Sequence, residues 1–192
     1  MRSSLGALAA VLIGLLSLAC DSAPPPRPVT SENLRPKANQ RAIEGVRYSQ
    51  IPKLDGNAFK LADFDGKVLI VDLWATWCGP CREQAPQLAE LSSRYREQGL
   101  EVVGLSLDEQ SNQAGVAEFI KAVGINYTIG YASNRVSGAF LTGTEDETGE
   151  PPIPQLFIFG RDGKLVEHLI GYRRDHGLDY LSQIVTKQLA KT

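Results

Sequence analysis

Histidine and cysteine are both scarce in this chain of 192 residues, which holds two of the first and three of the second. A structural zinc site needs four ligands, and His168 and His176 lack the finger-like spacing that would complete one with a cysteine pair. Three cysteines, with Cys20 far from Cys78 and Cys81, do not make the framework of a disulfide-stapled scaffold. Basic charge is not in excess either. The 20 Lys and Arg stand against 22 Asp and Glu, a net charge of −2. That balance gives no electrostatic footprint for nucleic acid. No internal repeat is present, which sets aside solenoid architectures.

What is present is an ordinary globular composition, 43% hydrophobic and 22% charged, enough for one domain with a real core. The first residues stand apart. Arg2 is followed by Ser3 to Ala19, an uncharged run rich in Leu, Ala, Ile and Val, which is the layout of an export signal. Residues 1–19 are therefore read as a signal peptide. Residues 20–42 hold Pro24-Pro25-Pro26, Pro28 and Pro36 among Ser, Asn and charged residues, and predict a flexible, Pro-rich linker. The folded domain is expected over 43–192.

Within that domain, Ile51 to Leu61 reads as two short strands about Asp55-Gly56-Asn57. Val68 to Trp74 is an apolar run broken only by Asp72, as suits a buried central strand. Pro80 to Gln98 has helical spacing, interrupted at Pro86. A strand over Leu100–Leu107, a helix over Glu109–Val123, a strand over Tyr127–Tyr131 and a short helix over Arg135–Leu141 follow. After an acidic loop, Thr142 to Glu150, two strands flank the turn Arg161-Asp162-Gly163-Lys164, and a last helix starts at Asp175. The order ββ, β-α-β-α-β-α, β-β-α predicts an α/β sandwich with one mixed sheet and right-handed crossovers.

Cys78 and Cys81 enclose only Gly79 and Pro80, at the point where the central strand hands over to a helix. A loop so small gives little chain-entropy stabilisation as a structural staple. In the first helical turn Cys78 faces unpaired backbone N–H groups and the positive end of the helix dipole, which favour the thiolate. Cys78 is thus the candidate nucleophile, and Cys81, one turn in and expected to be more buried, the resolving thiol. Gly79 leaves the approach open and Pro80 sits where no N–H donor is needed. Asp72, a lone charge in an apolar strand, is the candidate proton acceptor for Cys81. The other reading of Asp72 is an exposed or turn-satisfied aspartate. Glu83 is expected in the first helical turn, complementing the dipole. Trp77, next to Cys78, borders the expected substrate surface.

Three resemblances extend this. Leu16-Ser17-Leu18-Ala19-Cys20 resembles a bacterial lipobox, with Ser17 where Leu is more usual. It implies cleavage before Cys20 and lipidation of Cys20; an uncleaved N-terminal membrane helix is the competing reading. Asp21 resembles a signal for retention at the inner membrane, which implies a lipid-anchored protein on its periplasmic face. Trp74-Ala75-Thr76-Trp77-Cys78-Gly79-Pro80-Cys81 resembles the thioredoxin active-site run, and Ile153-Pro154 before an apolar strand resembles that family's cis-proline site. The leading hairpin, the added strand and helix between Leu100 and Gly124, and the tether resemble the TlpA/ResA-like branch of membrane-anchored thiol-disulfide oxidoreductases.

The resemblance implies a thioredoxin-like three-layer sandwich with an N-terminal β-hairpin extension and a β-α insertion. It implies no cofactor beyond the redox-active Cys78–Cys81 pair and no metal. Trp77, Gly79, Pro80, Ile153 and Pro154 then form the substrate-binding surface. Partners are disulfide-containing exported proteins, for example in cytochrome c or copper-site maturation, with a membrane thiol carrier of the DsbD or CcdA type as electron donor. The protein is expected to be a monomer that binds no nucleic acid. Gln84 stands where the branch usually has glutamate, and Asp72 where thioredoxin keeps a buried aspartate. The alternative from another class is a copper metallochaperone holding Cu(I) through the same two thiolates. Its spacing is one residue short of the C-x-x-x-C that copper-binding relatives use.

Overall fold

A computed structural model describes residues 40–191. The signal peptide expected over 1–19, Cys20 and most of the linker expected over 20–42 lie outside the described residues. A helix, α1 (Gln40–Val46), runs across the boundary expected at residue 43 and places the start of folded structure earlier. Its seven residues bury only Ile43 and Val46, too little periodicity to stand out beside a Pro-rich tract.

The centre is β3 (Val68–Trp74), whose seven residues are all buried. Both of its faces are covered, so its sequence is apolar at every position but Asp72 rather than alternating. It pairs in parallel with β4 (Leu100–Ser106) and antiparallel with β6 (Gln155–Phe159). Outside these lie β5 (Thr128–Tyr131), parallel to β4, and β7 (Leu165–Ile170), antiparallel to β6. The sheet order is β5-β4-β3-β6-β7. A separate two-stranded hairpin, β1 (Ile51–Pro52) with β2 (Ala58–Phe59), precedes it.

Side chains alternate across β3, and the two parities feed two cores. Val68, Ile70 and Trp74 pack with Leu88 and Leu91 of α2 (Gly79–Tyr95), Val116 and Phe119 of α3 (Gln113–Val123), and Leu181 and Val185 of α5 (Leu178–Leu189). Leu69, Val71 and Leu73 pack with α1, the β1–β2 hairpin and Val136 and Phe140 of α4 (Asn134–Leu141). That is a three-layer α/β sandwich with helices on both faces, as the sequence led one to expect. The hairpin lies hard against β5: a Cβ on Gly130 would come within 2.6 Å of Ile51 Cγ2 and 2.7 Å of Phe59 Cε1.

Candidate active site

The end of β3 runs into a short turn, Ala75 to Trp77, with the polar backbone closely held. Trp74 O accepts from Leu107 N at 2.8 Å and Ala75 O from Cys78 N at 3.1 Å. Cys78 is the N-cap of α2, and Pro80 lies in the first turn, where its missing N–H costs nothing. Cys78 Sγ accepts from Cys81 N at 3.2 Å, so the sulfur takes the place of a capping oxygen. Cys78 and Cys81 form a disulfide, with Cα atoms 5.3 Å apart.

The cysteines are nearly equal in exposure, Cys78 at 4% and Cys81 at 3%, so the expected contrast in burial is slight. What separates them is the groove beside them. Cys78 lines it with Trp77, Gly79 and Pro80 on one side and Glu150 to Ile153 on the other; Cys81 does not. The loop before β6 packs against Cys78 and encloses it, a tertiary effect that local sequence does not carry. Trp77 is 73% exposed, and a Cβ on Gly79 would meet nothing within 4 Å, so this side is open.

The Ile153–Pro154 peptide is cis, as expected. Ile153 O lies 3.7 Å from Cys78 Sγ. A disulfide sulfur has no hydrogen to donate, so this is a contact in the oxidised protein; a reduced thiol can donate to the same oxygen. Behind the loop, Gln155 is buried and donates to Thr144 Oγ1 and Pro152 O, both at 2.9 Å. Its Oε1 therefore faces His168 Nε2 at 2.8 Å, which makes Nε2 the protonated ring nitrogen. Burial lowers His168 to about 4, so the imidazole is neutral near pH 7. This network ties Thr144, and with it the acidic loop, to the strand that follows Pro154.

Asp72 is 2% exposed, which excludes the exposed-aspartate reading. It shares the parity of Ile70 and Trp74 and so points into the layer that holds Cys78 and Cys81. Its Oδ1 has no hydrogen-bond partner, and burial raises the carboxyl to about 8. Gln84 is buried on the same side of α2, with Oε1 also unpaired. Glu83 departs from expectation: the first turn of α2 holds no acidic residue, and Glu83 is exposed beyond it.

Asp108 was missed by sequence reasoning. Its carboxylate accepts from Thr76 N at 2.9 Å, Thr76 Oγ1 at 2.6 Å, Ser106 Oγ at 2.9 Å and Asn112 Nδ2 at 3.1 Å. Burial pushes its pKa up, but the bonds from Thr76, Ser106 and Asn112 outweigh this and hold it below the usual carboxylate range. The residue thus fixes the turn two positions before Cys78. An aspartate straight after a strand, Leu107-Asp108, was the available signal. Among the described residues, no group of three or more His, Cys, Asp and Glu is placed to hold a metal.

A disulfide capping a helix at the end of a central strand, with a cis-proline loop beside it, marks a thioredoxin-like protein. The chain belongs to the AhpC/TSA family, whose profile matches residues 46–168. It is 32% identical over 135 residues to the thiol-disulfide oxidoreductase ResA of Bacillus thuringiensis (strain Al Hakam), covering 70% of this chain and 73% of that one. To ResA of Bacillus subtilis (strain 168) it is 27% identical over 131 residues, covering 68% of each. Among solved structures, it is similar to a thiol:disulfide interchange protein from Chlorobium tepidum TLS. There the TM-score is 0.62 and the identity 28%, over 73% of this chain and 92% of that one. A secreted Mycobacterium tuberculosis disulfide oxidoreductase shares the fold at TM-score 0.60 and 19% identity, over 75% of this chain and 98% of that one. Sequence, fold and cysteine pair agree: this is a thiol-disulfide oxidoreductase.

Proposed function

We propose that the protein reduces disulfides of exported proteins outside the cytoplasmic membrane, with Cys78 as attacking thiol and Cys81 as resolving thiol. The observation that carries this reading is the groove: Cys78 lines it between Trp77 and Ile153, and Cys81 does not. In the reduced enzyme the N-terminal end of α2 favours the Cys78 thiolate. Cys78 attacks one sulfur of the substrate disulfide, forms the mixed disulfide and releases one substrate thiolate. Asp72 takes the proton of Cys81, and the resulting thiolate attacks Cys78 Sγ and releases the second substrate thiolate. The enzyme is left as the Cys78–Cys81 disulfide. Two electrons from a membrane dithiol carrier of the DsbD or CcdA type restore it.

Trp77, Gly79, Pro80, Ile153 and Pro154 supply the substrate surface, on which an extended chain lies beside the Ile153 backbone. The export-signal layout of residues 1–19 and the lipobox-like ending at Cys20 support a lipid anchor on the periplasmic face of the inner membrane. Among the described residues no helix is long and apolar enough to cross a membrane. The test is the reduction potential of the Cys78–Cys81 couple against glutathione. A value near thioredoxin's, about −270 mV, agrees with a reductant; one near DsbA's, about −120 mV, makes the protein an oxidant.

A further inference from the structure

The sheet face covered by α2 holds polar atoms that are buried and have no hydrogen-bond partner. They are the acceptors Asp72 Oδ1 and Gln84 Oε1, the donor Trp74 Nε1 and the hydroxyl of Tyr127. Buried polar groups are paired in the great majority of cases, so such a gathering calls for an explanation. The strand register brings three of them together. Asp72 lies beside Gly104 on β4, and Gly104 beside Ile129 on β5. Tyr127 precedes Ile129 by two and joins the same core layer.

Gly104 leaves the room they use. A Cβ there would stand 2.9 Å from Trp74 Nε1 and 3.2 Å from Tyr127 Cε2. The indole edge of Trp74 and the phenol ring of Tyr127 therefore reach across β4 from either side and meet over one glycine next to Asp72. Asp72 is near enough that its charge, after burial, raises the hold of Tyr127 on its proton. Tyr131 also points into this layer with an unpaired hydroxyl, but the charge it feels is that of Asp108. Among the described residues burial alone shifts Asp72, with no cation offsetting it, and the other ionisable side chains of the layer are Tyr95, Tyr127, Tyr131 and, once reduced, Cys78 and Cys81.

We propose that Tyr127 is a positioning residue for proton transfer, its hydroxyl donating a hydrogen bond to the Asp72 carboxylate that receives the proton of Cys81. This rests on the role given to Asp72 above. A carboxylate with neither cation nor donor is disfavoured in a dry layer. The Tyr127 hydroxyl is unbonded in this oxidised structure, so the phenol ring has to tilt to reach the carboxylate, and the bond then favours the ionised form. As Cys81 passes its proton to Asp72, the demand for that bond ends and the hydroxyl is released.

The test follows the reduced full-length protein, carrying Cys20→Ser so that Cys78 and Cys81 are its only thiols, reacting with Ellman's reagent. Attack by Cys78 releases one thionitrobenzoate, and attack by Cys81 on the mixed disulfide releases a second, so the second release reads resolution alone. Its rate is followed from pH 5 to 10 in wild type, Asp72→Asn, Tyr127→Phe and the double variant. Tyr127→Phe should move the midpoint up by about one pH unit and slow the second release about tenfold at pH 7. In the Asp72→Asn background Tyr127→Phe should add nothing. Denaturation gives a second reading: Tyr127→Phe should destabilise more at pH 9, with Asp72 ionised, than at pH 5. An unmoved midpoint with Asp72→Asn slow, or an equal loss of stability at both pH values, would leave Tyr127 a packing residue and overturn the inference. An unchanged second release in Asp72→Asn would instead remove the role of Asp72, and the inference with it.

Discussion

Ile153 O lies 3.7 Å from Cys78 Sγ, although 75 residues separate the two in sequence. The loop before β6 thereby forms one wall of the groove on which the sulfur opens, and the N-terminal end of α2 forms the other. Chemistry and substrate surface meet at one atom, held from two distant parts of the chain.

Thr76 and Asp108 hold the second of those walls. Asp108→Ala removes four hydrogen bonds to one carboxylate and leaves Thr76 N–H without its partner, an expected loss of about 1–3 kcal/mol. Asp108→Asn should lose less, because the amide oxygen still accepts. Reduction of insulin should fall more than reaction with Ellman's reagent in Asp108→Ala, since a small disulfide does not need the Trp77 surface. Equal losses on both substrates would show that Asp108 does not shape that surface.

Asp72 should cost stability at neutral pH. Its folded value, about 8, lies above the ordinary 3.8, so the folded state holds the proton more tightly than the unfolded chain. Stability from this group is present below about pH 4 and is lost as pH rises toward 8, by at most about 1.4 kcal/mol per unit. Asp72→Asn should therefore gain in urea midpoint over wild type progressively from pH 4 to pH 8. A gain that is the same at every pH would contradict the burial of an ionisable group there.

His168 acts with the opposite sign over a lower window. Burial depresses it from 6.5 to about 4, so its contribution is whole above 6.5 and is lost as pH falls toward 4. His168→Phe leaves Gln155 Oε1 unpaired, a cost independent of pH, and removes that acid slope. Urea midpoints at pH 4.5, 5.5 and 7 should show the variant's deficit shrinking as pH falls. A deficit that stays constant would mean that His168 does not titrate in this range.

The sheet and most helices were legible because β3 and β4 are mainly apolar runs, broken chiefly by Asp72 and Glu101, and α3 and α5 repeat apolar residues at three and four. The cysteine pair was legible because its spacing and its place after a strand are local features. The acidic loop was legible as a loop but not as a part tied down through Thr144 to Gln155 and His168. That bond joins residues 11 apart whose side chains meet only after β6 has paired with β3 and β7. The partners of Asp108 and Tyr127 were invisible for the same reason. Asp108 reaches Thr76 across 32 residues, and Tyr127 nears Asp72 only because β4 places Gly104 between them.

Which sulfur attacks is decided most directly by trapping. The Cys81→Ser variant, reduced and mixed with a disulfide-bonded protein substrate, should accumulate a mixed disulfide that mass spectrometry of the digest places on Cys78. Cys78→Ser under the same conditions should form little or none, because Cys81 does not line the groove. A mixed disulfide that forms as readily on Cys81 in the Cys78→Ser variant would contradict the assignment of Cys78 as nucleophile.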